Sequence, residues 1–245
     1  MNRHWLTIDD NFGFRSGSWE FQINPRQPER GAIVSQSGSG QAEQSPEVQI
    51  FALPTLTTGL YQPSESFIRL GDLHLNYAAT KDLPTSVSLC WRLHNLSEWL
   101  PNLPPAEAAE TLLAEVVISF QTDLLDAVPV RETHSRLPAG KFLPLPPPLP
   151  PRPGEIEWPT SDTASLIESA GRLWLSAVYP SDLRWLAVSR QANSIEQQFR
   201  LRAENLEKGV IRRLRCLFAT APCNSLPQLR ELPQKFADSQ LPLSF

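Results

Sequence analysis

The sequence is poor in the residues that most often carry chemistry. Its 245 residues hold three cysteines, four histidines and one methionine. Cys90, Cys216 and Cys223 are odd in number and irregular in spacing, so they form no disulfide framework. They read as buried or half-buried thiols of a reducing compartment. No apolar run approaches the roughly 20 residues of a membrane helix. Residues 1–10 contain no apolar stretch of the secretory kind. A soluble, cytoplasmic protein without a membrane partner is therefore expected. There is no Gly-x-Ser-x-Gly elbow, phosphate loop, Gly-x-Gly-x-x-Gly, His-Glu-x-x-His or Cys-x-x-Cys. The motifs thus call for no cofactor and no metal, and they leave open whether the chain is an enzyme.

What is abundant is proline, with 24 residues. Prolines break helices and collect at turns and strand ends, which argues against a helical bundle. Eight of them fall within residues 138–153, a composition that reads as extended polyproline II. Within it, Pro146 to Arg152 fits the proline-plus-arginine pattern read by SH3-type grooves. A linker or strap is the plainer reading. Leu143, Leu145 and Leu149 suggest that it packs on the body.

The net charge of −4 is unevenly spread. Residues 1–137 carry nine basic and sixteen acidic groups, a net −7, and residues 138–245 a net +3. Opposite signs favour packing of the halves on each other, or of one copy on another as a homo-oligomer. A weakly acidic whole argues against nucleic-acid binding.

Period-two alternation recurs along the chain. Strands are expected at Trp19–Ile23, Val48–Leu53, Ser66–Leu70, Leu73–Tyr77, Ser86–Leu93, Val116–Phe120 and from Val128. The phase change at Gly71-Asp72 predicts a bulge or bend. Leu173–Tyr179 and Leu183–Val188 read as one hairpin, and Ile195–Ala203 and Val210–Ala219 as a second. Helical signals are short: Pro105–Leu113, Ser161–Ala170 stopped by Gly171, and a turn from Ser225, with a capping-box spacing to Gln228, ended by Pro233. About ten strands and scraps of helix specify a mostly β fold, an antiparallel β-sandwich or a large two-sheet assembly. The expected organisation is one domain over 1–245, its strand-rich halves 1–137 and 154–245 joined by 138–153. In outline it resembles the large carbohydrate-active β-sandwiches, a likeness of fold and not of function.

Candidate sites follow from the alternation. Arg200, Arg202, Arg213 and Arg215 fall opposite the apolar residues of their strands, so a hairpin would place four guanidiniums on one face. They would meet Glu196, Glu204, Glu207 or the acidic half, an anion or acidic sugar, or another subunit. With Trp185 nearby, they are the candidate ligand site. His74, Asn76, Cys90, Arg92 and His94 would line a second face, where His74 and His94 beside Arg92 are the candidate acid–base groups. The seven tryptophans read as core or loop cover, with stacking platforms for sugars as the alternative. The leading functional expectation is a non-catalytic binding protein for an anionic or carbohydrate ligand. The alternatives are a carbohydrate-active enzyme and an assembly subunit.

Overall fold

The structure is a computed structural model, and it describes residues 5–8, 10–36, 47–54, 56, 63–81, 84–127, 132–145, 163–202 and 205–240. Its strands are, in chain order, β1 (Leu6–Ile8), β2 (Asn11–Ser16), β3 (Trp19–Ile23), β4 (Ala32–Gln36), β5 (Val48–Ala52), β6 (Pro63–Arg69), β7 (Asp72–Tyr77) and β8 (Thr85–Leu93). Then come β9 (Leu112–Thr122), β10 (Glu132–Pro138), β11 (Lys141–Leu143), β12 (Ala164–Ser169), β13 (Arg172–Val178), β14 (Leu183–Arg190), β15 (Ser194–Leu201) and β16 (Ile211–Pro222). Helices α1 (Leu96–Trp99) and α2 (Pro105–Ala109) are short, and α3 (Leu226–Asp238) is longer.

The strands form two antiparallel eight-stranded sheets. The first runs β1-β2-β3-β4-β5-β10-β15-β14 and the second β11-β12-β13-β16-β9-β8-β7-β6. Strands from before and after the proline segment enter both sheets. The inner faces meet in one apolar core that contains Phe21, Val34 and Phe199 of the first sheet and Leu75, Trp91 and Phe218 of the second. Phe21 and Trp91 meet edge to face across it, ring centres 5.5 Å apart.

A third layer covers the second sheet. Leu229, Leu232 and Phe236 recur at helical spacing on α3 and bury against Leu173, Leu175, Leu217 and Ala219 on the outer face. Full burial of each such side chain contributes roughly 1.5–3 kcal/mol. That packing overrides the expected stop at Pro233, which lies inside α3. The capping box at Ser225 does not form; its hydroxyl donates instead to Glu107 Oε2 at 2.6 Å.

Other expectations change for reasons that lie beyond local sequence. Residues 164–169 are strand, not helix, and turn through Ala170-Gly171 into β13. Leu70-Gly71 makes the same turn between β6 and β7, a hairpin in place of the expected bend. Positive φ at both positions of each pair suits the twist of a tight hairpin. The two expected hairpins do not form. β13 and β14 lie in different sheets, as do β15 and β16. Pro180-Ser181-Asp182 and Glu207-Lys208-Gly209 lie in the connections that carry the chain from one sheet to the other. Within the proline segment, Pro138 ends β10 and Lys141–Leu143 is strand, so that part is sheet and not polyproline II. Leu143 and Leu145 pack on the outer cluster. The SH3-type motif, Leu149 and the expected strand from Val128 to Val130 fall outside the described residues.

Candidate functional site

The structure divides the four arginines between the two sheets. Arg200 lies on the outer face of the first sheet, opposite Trp185 in register, with Nη1 3.7 Å from Glu132 Oε1. Arg202 follows β15 and donates through Nε to the carbonyl of Leu183 at 3.0 Å. Arg213 and Arg215 belong to the second sheet, where Arg213 stands opposite Ser119. The shared arginine face is therefore not assembled. Period two assigned the strand faces correctly, but α3 covers the outer face that carries Arg215.

Arg215 is 1% exposed. Its Nε donates to Glu115 Oε1 at 2.6 Å, and its Nη1 and Nη2 reach the Ser239 carbonyl and hydroxyl at 3.1 and 3.0 Å. Its guanidinium carbon sits 4.7 Å from the Phe236 ring centre. The arginine thus ties the end of α3 to the sheet. The other Glu115 oxygen meets His94 Nε2 at 2.8 Å, and His94 lies against Trp99 with centroids 4.2 Å apart. Burial pushes the Glu115 pKa up, but the hydrogen bonds from His94 and Arg215 outweigh it and hold the carboxyl below its usual range. Asp182 accepts from the Arg215 backbone N–H at 2.9 Å, yet burial leaves its pKa raised.

The expected acid–base face is present as a row of residues but not as a site. His74 stands opposite Cys90, and Asn76 opposite Ser88. Arg92 engages the Asp72 carboxylate with Nε at 3.0 and 3.1 Å and Nη2 at 2.5 Å. His94 continues the line of β8, four residues beyond Cys90, which sets it about 13 Å along the strand from the level of His74. Both imidazoles are buried, His74 stacked on Phe67 and His94 tilted against Trp99. Proton transfer between them has no hydrogen-bond reach. Burial also pushes the Cys90 thiol to a pKa of about 12, which keeps it unreactive. Among the described residues no group of three His, Cys, Asp or Glu is placed to hold a metal ion.

The outer face of the first sheet is polar and holds a shallow depression of about 250 Å³ over Gln49, His134, Arg136, Ala187, Glu196 and Gln198. Its charges pair with one another: Arg136 with Glu196 at 3.0 Å, and Arg200 with Glu132. Gln198 donates to Glu132 at 2.8 Å. This is the face of Arg200 and Trp185.

A larger cleft, of about 900 Å³, lies at one end of the sandwich where the sheets part. Ser18, Trp19, Ser35, Gln36 and Val48 come from the first sheet's β2–β5 region, and Pro138, Ala139 and Asn193 from its β10 and β15 ends. Ser169, Ala170, Arg172 and Trp174 come from the β12–β13 hairpin, and Glu110 from the end of α2. Trp19 and Trp174 cross edge to face at 5.4 Å. The Arg172 guanidinium carbon lies 4.3 Å from the Trp19 ring centre. Arg172 donates through Nη2 to the Glu110 carbonyl at 2.6 Å and through Nε to Thr220 Oγ1 at 3.3 Å. Glu110 Oε2 accepts from the Ser18 hydroxyl at 2.9 Å. Gly17, at φ 58, leaves room for that carboxylate: a Cβ there would meet Glu110 Oε1 at 2.5 Å. The indole N–H groups of Trp19 and Trp174 have no hydrogen-bond partner among the described residues.

Local sequence reasoning passed over Arg172 and Glu110. They lie 62 positions apart and meet only because β13 and α2 converge at the end of the sandwich. The available signal was weaker: Trp19 and Trp174 stand in small polar hairpin sequences, Ser16-Gly17-Ser18-Trp19 and Gly171-Arg172-Leu173-Trp174.

No family model matches the chain, and no curated protein matches it. Among solved structures it superposes on one described as "Putative kojibiose phosphorylase from human microbiome", with a TM-score of 0.34 and 8% identity. The match covers 96% of this chain and 36% of that one, so the chain spans about a third of its length. A superposition this loose says nothing about activity.

Proposed function

We propose that the protein is a non-catalytic binding protein for a carbohydrate, and that the ligand seats in the end cleft. One observation carries the reading: a cleft of about 900 Å³ lined by two tryptophans and a ring of serine, amide, arginine and glutamate side chains. Ligand sites typically span about 300–1,000 Å³ and combine apolar walls with a few placed polar groups. Trp19 and Trp174, 8% and 3% exposed, form an apolar floor. Ser35, Gln36, Glu110 and Asn193 offer the donors and acceptors that sugar hydroxyls need. The surroundings of His74, Arg92 and His94 support no acid–base mechanism, because Arg92 is engaged by Asp72 and each imidazole lies buried on its own aromatic partner.

Titration of the chain with neutral and acidic oligosaccharides, followed by tryptophan fluorescence and calorimetry, tests the proposal. Binding should quench or shift the emission. Gln36→Ala, which removes an exposed amide from the cleft wall, should weaken affinity by about 5–10-fold, one lost hydrogen bond. Asn193→Ala should act in the same direction. Failure of every saccharide class to bind the folded chain would refute the reading.

A further inference from the structure

Arg172 differs from Arg92 and Arg215, two other arginines of the second sheet. Arg92 has Asp72 and Arg215 has Glu115, each at ion-pair distance. Arg172 donates to a backbone carbonyl and a threonine hydroxyl, both neutral, and no carboxylate among the described residues lies within ion-pair reach. Its Nη1 has no described partner. Burial lowers its pKa to about 10, the sign of a cation that has lost water without gaining a full counter-charge. It remains protonated at neutral pH. Its position is held from three sides: the Trp19 ring beneath, the Glu110 carbonyl and the Thr220 hydroxyl.

A half-buried guanidinium fixed in this way and open to a cleft is a receptor for an anion, because the planar fork matches a carboxylate and the interaction is stronger away from bulk water. A bare inorganic ion would leave most of a 900 Å³ cleft unused. The remaining lining is of another kind. Glu110 accepts hydrogen bonds from hydroxyls, and Ser35, Gln36 and Asn193 both donate and accept. A cation on one wall and hydroxyl-matching groups on the others describe one ligand bearing both kinds of group. Resting on the binding role argued above, we propose that the cleft selects acidic sugars, with Arg172 pairing the ligand carboxylate and Glu110, Gln36 and Asn193 taking its hydroxyls.

The test presents the full chain with uronic-acid-bearing oligosaccharides, the same oligosaccharides with their carboxylates methyl-esterified, and sodium sulfate. The acidic forms should bind at least about ten-fold more tightly than their esters, one charge-assisted pairing. Added salt should weaken the acidic forms and leave the esters unchanged. Arg172→Gln should erase the preference, and Arg172→Lys, a cation without the fork, should restore part of it. The comparison of acid with ester uses the unaltered protein, so it stands even if a variant fails to fold. Equal binding of acid and ester would overturn the acidic-sugar proposal and leave the carbohydrate-binding role intact. Sulfate competing as strongly as the sugar would overturn it in favour of a plain anion site. No binding of any of the saccharides would overturn both.

Discussion

Glu115 is held by two side chains, Arg215 on one oxygen and His94 on the other, at a site 1% exposed. Its removal leaves Arg215 charged and without a counter-charge under α3. Uncompensated buried charge costs about 3–5 kcal/mol. Glu115→Gln keeps the shape and removes the charge, so it should lower the unfolding free energy by about 3 kcal/mol in urea denaturation. His74 supplies a pH-dependent term. Burial depresses its pKa, as do the charges of Arg69 and Arg92, against the opposing pull of Asp72. The unfolded imidazole, near 6.5, therefore takes a proton before the folded one does. The contribution of His74 is complete above that value and is lost as the pH falls through the lower folded pKa. Urea midpoints measured at about pH 7.5 and about pH 5.5 should fall on acidification, and His74→Phe should flatten this part of the decline. Glu115, also depressed, acts in a separate and more acidic window, below its ordinary 4.5.

At the scale of elements, much of the fold is legible from period two. Strands β3, β7 and β8 follow from alternating apolar residues, and so does the face on which each residue falls, whereas β5 and β9 are legible as apolar runs. What local pattern does not encode is which strand lies next to which. Pro180-Ser181-Asp182 and Glu207-Lys208-Gly209 carry the chemistry of a hairpin turn, and in this fold both belong to crossings between sheets. For the same reason the arginine face dissolves: Arg200 and Arg215 face opposite sides of the molecule. Helix α3 was legible only to its proline. The buried stripe of Leu229, Leu232 and Phe236 carries the helix through Pro233 to Asp238. Phe236→Ala should cost about 3–5 kcal/mol, read as a lower melting temperature. It should also loosen Arg215, whose guanidinium lies against the Phe236 ring. Of the candidate site, the tryptophans were visible in the sequence, but Arg172 and Glu110 were not, since their meeting depends on elements distant in the chain.

At the scale of the whole molecule, acidic and basic halves meet within one chain. Glu132 with Arg200, Arg136 with Glu196, and Glu115 with Arg215 are all pairs between residues 1–137 and residues 138–245. Both sheets also draw strands from both halves. One domain over the full chain is the organisation this interleaving favours. Scanning calorimetry should then give a single transition whose van't Hoff and calorimetric enthalpies agree. Two separable transitions would show that the halves melt independently.

The central position of β16 has a consequence for biosynthesis. It is the last strand among the described residues, yet it lies between β13 and β9 in the middle of the second sheet. A ribosome releases β9 about a hundred residues before the strand that will hydrogen-bond along its full length. Throughout that interval Val116, Ile118 and Phe120 border an unpaired edge, and such edges invite pairing with other chains. Closure waits for those further residues, so the nascent polypeptide should depend on chaperone shielding until β16 slots home.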